Sequence, residues 1–257
     1  MIKYRIYPSL LDAYQDYLDA EKIWEKYWGS SDEPTYSLDE YIAKAEADLI
    51  DRINRVDHGP IEAADKGTCF NEIVDRINNG GVAINEAVSL ETVKEGDTSL
   101  YVKAEMEGFT FLFDIDTCKR AASYFEGSIP QHFCKATIDT AYGEVELYGY
   151  SDEIRGDKVY DIKTTGSYDY GKFASKWQKD VYPYCLTESG EMEGINEFEY
   201  TVFVLGKKEP IEAKMYKETY PYIHDKAKQR IRLVCESFIE FLDINRSKIT
   251  DNRIFNL

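Results

Sequence analysis

The chain has 257 residues, 43% of them hydrophobic and 14% aromatic, with a formal net charge of −17. That length and apolar content suit one sizeable folded core and exclude a disordered chain. No run of about 18 apolar residues suggests a membrane span, and the opening "MIKYRIYPSLLDAYQDYL" lacks the apolar region of a signal peptide, so a cytoplasmic protein with no membrane contact is expected.

Cys69, Cys118, Cys134, Cys185 and Cys235 are scattered, with no C-x-x-C pair. This disfavours a zinc ribbon or iron–sulfur cluster and predicts buried, reduced thiols. The charge is uneven. Asp12 to Asp65 holds 15 acids against 5 bases, whereas Lys207 to Lys248 holds 10 bases against 7 acids. An acid excess works against phosphate binding in general but leaves room for a local basic groove.

In chain order, Ser9 and Asp12 suggest a capped start, and Leu10, Tyr14, Tyr17, Trp24 and Trp28 predict one amphipathic helix to about Trp28. Ser37 with Glu40 is a capping box that opens a second helix, and "DHGP" at Asp57 to Pro60 stops it. A third helix, "IEAADKGTCFNEIVDRI", ends at the turn "NNGG". "SLYVKAEMEGFTFLFDI" reads as a hairpin turning at Glu107–Gly108, and "DTCKRAASYFEG" as a short helix capped by Asp116 or Thr117. "HFCKATIDT", "EVELYGYSDEI" and "KVYDIKTT" read as three consecutive strands with turns at "AYG" and "RGD". A helix over Tyr170 to Leu186, two strands and a long helix from about Pro221 to Arg246 complete the chain, with no internal repeat.

The stretch "YGYSDEIRGDKVYDIKTT" is unusual for strands, because Asp152, Asp161 and Lys163 interrupt residues that should be apolar. Pairing through the "RGD" turn brings Asp152 and Asp161 together, and Lys163 shares a strand face with Asp161. Converging carboxylates repel unless a cation lies between them, and Mg²⁺ takes one or two carboxylates while keeping sites for water and phosphate. On spacing alone, the stretch reads equally as a solvated hairpin tip with a surface ion pair.

Gln178 and Tyr182, at i and i+4, then share a helix face. The order G-x-x-D (Gly149–Asp152), D-x-K-T (Asp161–Thr164) and Q-x-x-x-Y (Gln178–Tyr182), preceded by "KGTCFNEIVDRI", resembles the PD-(D/E)xK nuclease superfamily over roughly Lys66 to Leu186, specifically its RecB-like and CRISPR-adaptation exonuclease branch. The resemblance implies a restriction-endonuclease-like α/β fold and hydrolysis of DNA phosphodiester bonds with Mg²⁺ or Mn²⁺. By that resemblance Asp152, Asp161 and the Ile162 carbonyl hold the metal, Lys163 handles the attacking water, and Gln178 and Tyr182 support the site. The family's helix carries His where this chain has Asn71. Asn71 itself, Glu72 or Asp75 is then the candidate to complete the metal shell, although Glu72 and Asp75 also read as solvated helix residues. Without a cysteine cluster, the iron–sulfur variant is not expected.

Among the three histidines, His58 is expected in a turn, with a minor chance of replacing the missing ligand, and His132 and His224 in structural roles. "FDIDTC" at Phe113 to Cys118 has paired acids, of which Asp116 serves as a helix cap, with a metal role as the minor alternative. Lys226, Lys228, Arg230 and Arg232 make like-charge i,i+4 pairs that either face solvent or await an anionic partner.

The expectation is one PD-(D/E)xK-like domain over 1–257: a helical portion at 1–60, a core at 61–220 with a central mixed sheet flanked by helices, and a helix at 221–257. The function expected is a DNA exonuclease acting on ends or single strands in phage or bacterial recombination and repair, as a homo-oligomer or with a recombination partner. Two rivals stand beside it: a catalytically silent protein of the same fold that binds DNA or protein, and an acidic DNA mimic.

Overall fold

The computed structural model describes residues 2–95 and 99–256. Its centre is a six-stranded mixed sheet built from β1 (Ile2–Ile6), β5 (Ile129–Thr140), β6 (Gly143–Arg155), β7 (Lys158–Thr165), β8 (Glu197–Leu205) and β9 (Ala213–Pro221). A smaller antiparallel sheet joins β2 (Ser89–Glu95), β3 (Ser99–Met106) and β4 (Phe109–Asp114). The helices are α1 (Pro8–Leu18), α2 (Ala20–Trp28), α3 (Leu38–Ile53), α4 (Glu62–Asn78), α5 (Ile115–Tyr124), α6 (Gln178–Glu188) and α7 (His224–Ile244). The chain is thus an α/β protein with a central mixed sheet flanked by helices and a helical front portion.

Two apolar layers sandwich the large sheet. On one face Leu10, Leu49, Val181, Phe238 and neighbours from α1, α3, α6 and α7 pack against Leu147, Val159 and Phe198. On the other, Phe70 and Val74 of α4, Ala121 of α5 and Phe113 of β4 pack against Tyr160, Ile162 and Phe203. Strand β7 is covered on both faces, which is why it reads as a nearly continuous buried run. Asp161 lies within that run, and the half-buried Lys163 follows directly after it.

Several expectations are corrected. The helix foreseen from Ser9 to Trp28 is two helices, separated at Asp19, whose carboxylate accepts from Gln15 Nε2 at 2.7 Å and Lys22 Nζ at 2.6 Å. Its start is set by Pro8 after the N-cap Tyr7, with no side-chain cap from Ser9. The helix foreseen from Tyr170 begins only at Gln178, since Gly171 adopts φ 87° and its N–H is bound by Glu218 at 3.0 Å. Asp114, rather than Asp116 or Thr117, caps α5 by accepting from Thr117 N at 2.7 Å. Strands β1 and β2 were not foreseen.

Other expectations hold. The Ser37–Glu40 capping box is formed, and the β3–β4 hairpin turns at Glu107 and Gly108, both at positive φ. All five cysteines are buried and unpaired. Among the described residues, no helix is long and apolar enough to cross a membrane.

Candidate active site at the fork of the central sheet

Strand β6 has three neighbours. Strand β5 runs antiparallel along one edge, from Ile129↔Ile154 to Thr140↔Gly143. The other edge is divided: β1 pairs in parallel with Glu144–Leu147, and β7 pairs antiparallel with Glu153–Arg155. Residues 148–152 lie between those two ladders, so the sheet forks at the G-x-x-D segment. The charges therefore lie at this fork, three residues or more from the hairpin tip at Gly156. Gly149 is required here, because a Cβ would stand 2.9 Å from Tyr182 Cε1 and 3.4 Å from Pro8 Cδ.

Across the fork, the register places Asp152 opposite Asp161, one step past the last paired residues, Glu153↔Tyr160. The ladder is broken there by a side chain: Ile162 N–H donates to Asp152 Oδ2 at 2.6 Å. In an antiparallel strand, the N–H and C=O of one residue face the same neighbour. The Ile162 carbonyl therefore faces the fork as well. Lys163 Nζ lies 2.6 Å from Asp161 Oδ2 and 5.6 Å from the Tyr200 ring centroid.

The electrostatics follow from burial. Loss of water, then the charge of Asp161, pushes Asp152 up to about 7. Burial also raises Asp161 despite Lys163 beside it. Burial works against the Lys163 ammonium, but Asp161 and Asp152 more than offset it and hold its pKa above the usual value. Two carboxylates with raised proton affinity and one cation are an arrangement that a further cation would relieve.

Helix α4 closes the other side. Gly67 lets it approach β7, since a Cβ would sit 2.2 Å from Thr164 Oγ1. Asn71, Glu72, Asp75, Gln131, Tyr150 and Asp152 line a cavity of about 470 Å³. Asn71 Oδ1 is buried without a hydrogen-bond partner. Gln131 Nε2 links Asp75 Oδ2 and Asp152 Oδ1, at 3.3 Å to each. Gln131 itself is in the left-handed region at φ 45°, near the start of β5, where the ladder with β6 skips it. Burial, then the charge of Glu153, pushes Asp75 up to about 8.

Glu72 has a different task. It is 2% exposed and holds Arg76 by two hydrogen bonds, at 2.8 and 2.6 Å, together with the backbone N–H groups of Ile84 and Asn85. Its oxygens fasten the segment after α4, and the residue lines the same cavity as Asp152. Asp75, read from sequence as a solvated residue, is buried and joined through Gln131 to Asp152.

From α6, Gln178 and Tyr182 are both buried. Tyr182 has its phenol pKa raised well above the ordinary value by burial, then by Asp161 and Asp152, so it lies beside the fork. Sequence reading missed two further residues. One is Gln131. The other is Asp12 of α1, which accepts from Trp177 N–H at the start of α6 at 2.6 Å and is pushed up to about 6 by burial.

The remaining candidates are placed elsewhere. His58 lies 3.7 Å from Asp51, His132 2.8 Å from Glu191 and His224 2.9 Å from Glu188. On α7, Lys228 pairs with Glu188, Arg230 with Asp180 and Arg232 with Glu236, which spends most of that basic row within the chain. Among the described residues, no group of three or more His, Cys, Asp or Glu side chains is arranged to hold a metal. The oxygens at or beside the fork are the Asp152 and Asp161 carboxylates, the Ile162 carbonyl, the Asn71 amide and the Asp75 carboxylate.

No family model matches the chain, and no curated protein matches it. Among solved structures it is similar to SSO0001, at 10% identity over 94% of this chain and 78% of that one, with a TM-score of 0.42. It is also similar to a protein of Eubacterium rectale described as a candidate exonuclease, at 11% identity over 93% of this chain and 82% of that one, with a TM-score of 0.43. Similarity at this level is too remote to assign a residue or an activity.

Proposed function

We propose that the chain is a metal-dependent DNA nuclease of the PD-(D/E)xK type. The observation that carries this reading is the fork itself: Asp152 and Asp161 face each other with Lys163 on Asp161 and the Ile162 backbone turned toward Asp152. A solvated hairpin tip would not bury these groups.

The donor set fits Mg²⁺ or Mn²⁺. Hard oxygens, one or two of them carboxylates, are what these ions prefer, with water and substrate phosphate completing the shell. Asp152, Asp161 and the Ile162 carbonyl would hold the ion, and the partnerless Asn71 Oδ1 faces the same cavity. When bound, such an ion lowers the pKa of water and neutralises charge on a phosphoryl group. Lys163, anchored by Asp161, carries a positive charge where an attacking water and a developing phosphorane charge need one. Gln131 fixes the orientation of Asp152, and Asp75 steadies Gln131. Tyr182 and Gly149 exclude bulk water from the back of the fork.

The test is incubation of end-labelled linear and circular DNA with Mg²⁺ or Mn²⁺, beside Asp161→Ala and Lys163→Ala. Cleavage that both substitutions reduce by at least about a hundredfold supports the reading, and a preference for linear DNA supports an exonuclease. No cleavage by folded wild-type protein with either metal would move the weight to a silent nuclease fold, a reading that Asn71 in place of His favours.

A further inference from the structure

An aromatic and basic strip runs from the α3–α4 connection to the cleft that contains Asp152. Tyr148 and Tyr150 share one face of β6, and Phe133 and Lys135 of β5 stand opposite Tyr150 and Tyr148 on that face. Tyr150 is 57% exposed and Phe133 40%, with ring centroids 5.1 Å apart, and Tyr150 lines the same cavity as Asp152. At the other end, Tyr148 packs edge-on against Tyr7 at 5.9 Å. Tyr7 in turn lines a groove of about 720 Å³ with Arg52, Arg55 and His58, and with Asp48 and Asp57.

Cations are interleaved with these rings. The Arg5 guanidinium lies 5.1 Å from the centroid of Tyr148, and that of Arg55 lies 5.8 Å from Tyr7 and donates to Tyr148 Oη at 3.3 Å. Arg5 is paired with Glu146 and Arg55 loosely with Asp251. Arg52 and Lys135 have no carboxylate within ion-pair distance among the described residues. Arg55 also holds a left-handed backbone, at φ 53°, an unfavourable conformation for a residue other than glycine. In a chain of net charge −17, exposed aromatic rings on a strip with four cations, only two of them paired with a carboxylate among the described residues, are out of character, and they lead to the fork.

We infer that this strip is the track of a single DNA strand whose unpaired bases stack on Phe133 and Tyr150 as its backbone passes Lys135, Arg55 and Arg52 into the cleft. Stacking on exposed rings reads every base alike, and interleaved cations follow the phosphates. Paired bases within a duplex offer no free face to these rings, so the substrate class is unpaired DNA. The inference rests on the nuclease reading for the direction of the track, and it concerns residues outside the metal site.

The experiment is fluorescence anisotropy of the full chain with a labelled oligothymidylate and with a blunt duplex of equal length, in Ca²⁺ so that binding is read without turnover. Wild type is compared with Phe133→Ala/Tyr150→Ala, Tyr150→Phe, Arg52→Ala/Lys135→Ala and, as a control on the far helix, Lys226→Ala. The expected result is preference for the single strand, weakened about five- to hundredfold by the double aromatic variant and kept by Tyr150→Phe and Lys226→Ala. Loss of the two cations should flatten the salt dependence by about 0.7 per phosphate contact. Because Phe133 and Tyr150 are exposed, the variants are expected to fold, and circular dichroism checks this. Single-strand binding unchanged in the double aromatic variant, or preference of the wild type for duplex, overturns the inference and leaves the nuclease reading standing. A wild type that binds neither DNA and cleaves none overturns both.

Discussion

Replacing Gly67 by alanine tests whether α4 is docked on β7 as closely as described. In an exposed helix interior, alanine is more stable than glycine by about 1 kcal/mol. Here the new Cβ would stand 2.2 Å from Thr164 Oγ1 and 3.4 Å from Thr164 Cβ, against an ordinary contact of about 3.5–4.0 Å. Threonine is branched at Cβ and has few alternatives at χ1, so the helix or the strand must give way, at an overpacking cost of about 1–3 kcal/mol. The steric term wins over propensity, and Gly67→Ala should destabilise by roughly 1 kcal/mol after both terms are combined. In a Thr164→Ala background the obstruction is gone, and the same substitution should stabilise by up to about 1 kcal/mol. Urea denaturation of the four proteins measures the coupling, expected at about 1–3 kcal/mol. Stabilisation by Gly67→Ala in both backgrounds, with no coupling, would refute the close approach and with it the geometry that brings Asn71 and Asp75 to the fork.

Other predictions follow from single features. Glu72→Ala should cost about 3 kcal/mol or more, because Arg76 and two backbone N–H groups lose their acceptor, whereas Asp75→Asn should leave the denaturation midpoint nearly unchanged. For Asp12, a pKa raised from 3.8 to about 6 in the folded state means that the fold binds the proton more tightly than the unfolded chain does. Its contribution is therefore fully present below about pH 4 and lost as pH rises through about 6. Asp12→Asn, which keeps an oxygen for Trp177 N–H, should accordingly be more stable than wild type by about 2–3 kcal/mol at pH 7.5 in metal-free buffer. The difference should vanish near pH 4 when midpoints are followed against pH. At the β3–β4 turn, Glu107 sits at φ 49° before Gly108, so Glu107→Asn, which tolerates that conformation, should raise the melting temperature by an amount equivalent to about 0.5–1 kcal/mol.

What was legible from sequence is what obeys short-range periodicity. Asp161 and Lys163 share a face because they are two residues apart on a strand, and Asp152 comes to Asp161 because a short turn sets the register. The three strands around them were readable for the same reason. What was not legible depends on distant partners or unusual backbone. Gln131 joins Asp75 to Asp152 from a left-handed backbone, φ 45°, near the start of a strand, and nothing in "SIPQHF" announces that. Asp12 reaches the start of α6 across 165 positions of sequence, and from spacing alone it looked like part of a helix cap. Glu72 and Asp75 look alike on a helical wheel; only the return of Ile84 and Asn85 to the helix shows that Glu72 also anchors the segment that follows. The alternation in "IKYRI" was a usable sign of β1, but the helical pattern following it drew the reading.

The division of one edge of β6 between two strands has a consequence for the order in which the molecule assembles. Ile2 pairs with Glu144, so β1 must wait for a strand more than half the chain away before it acquires a partner. Closing so long a loop is entropically slow, and contacts of this span are made late in folding. The hairpin of β6 and β7 can form early from local sequence, carrying Asp152 and Asp161 with it. Without β1 beside it, the stretch from Glu144 to Leu147 is a bare strand edge, free to pair with any other strand it meets. The site is thus assembled in two stages, carboxylates first and boundary last, and a fragment reduced to 61–220 would be left permanently in the earlier stage.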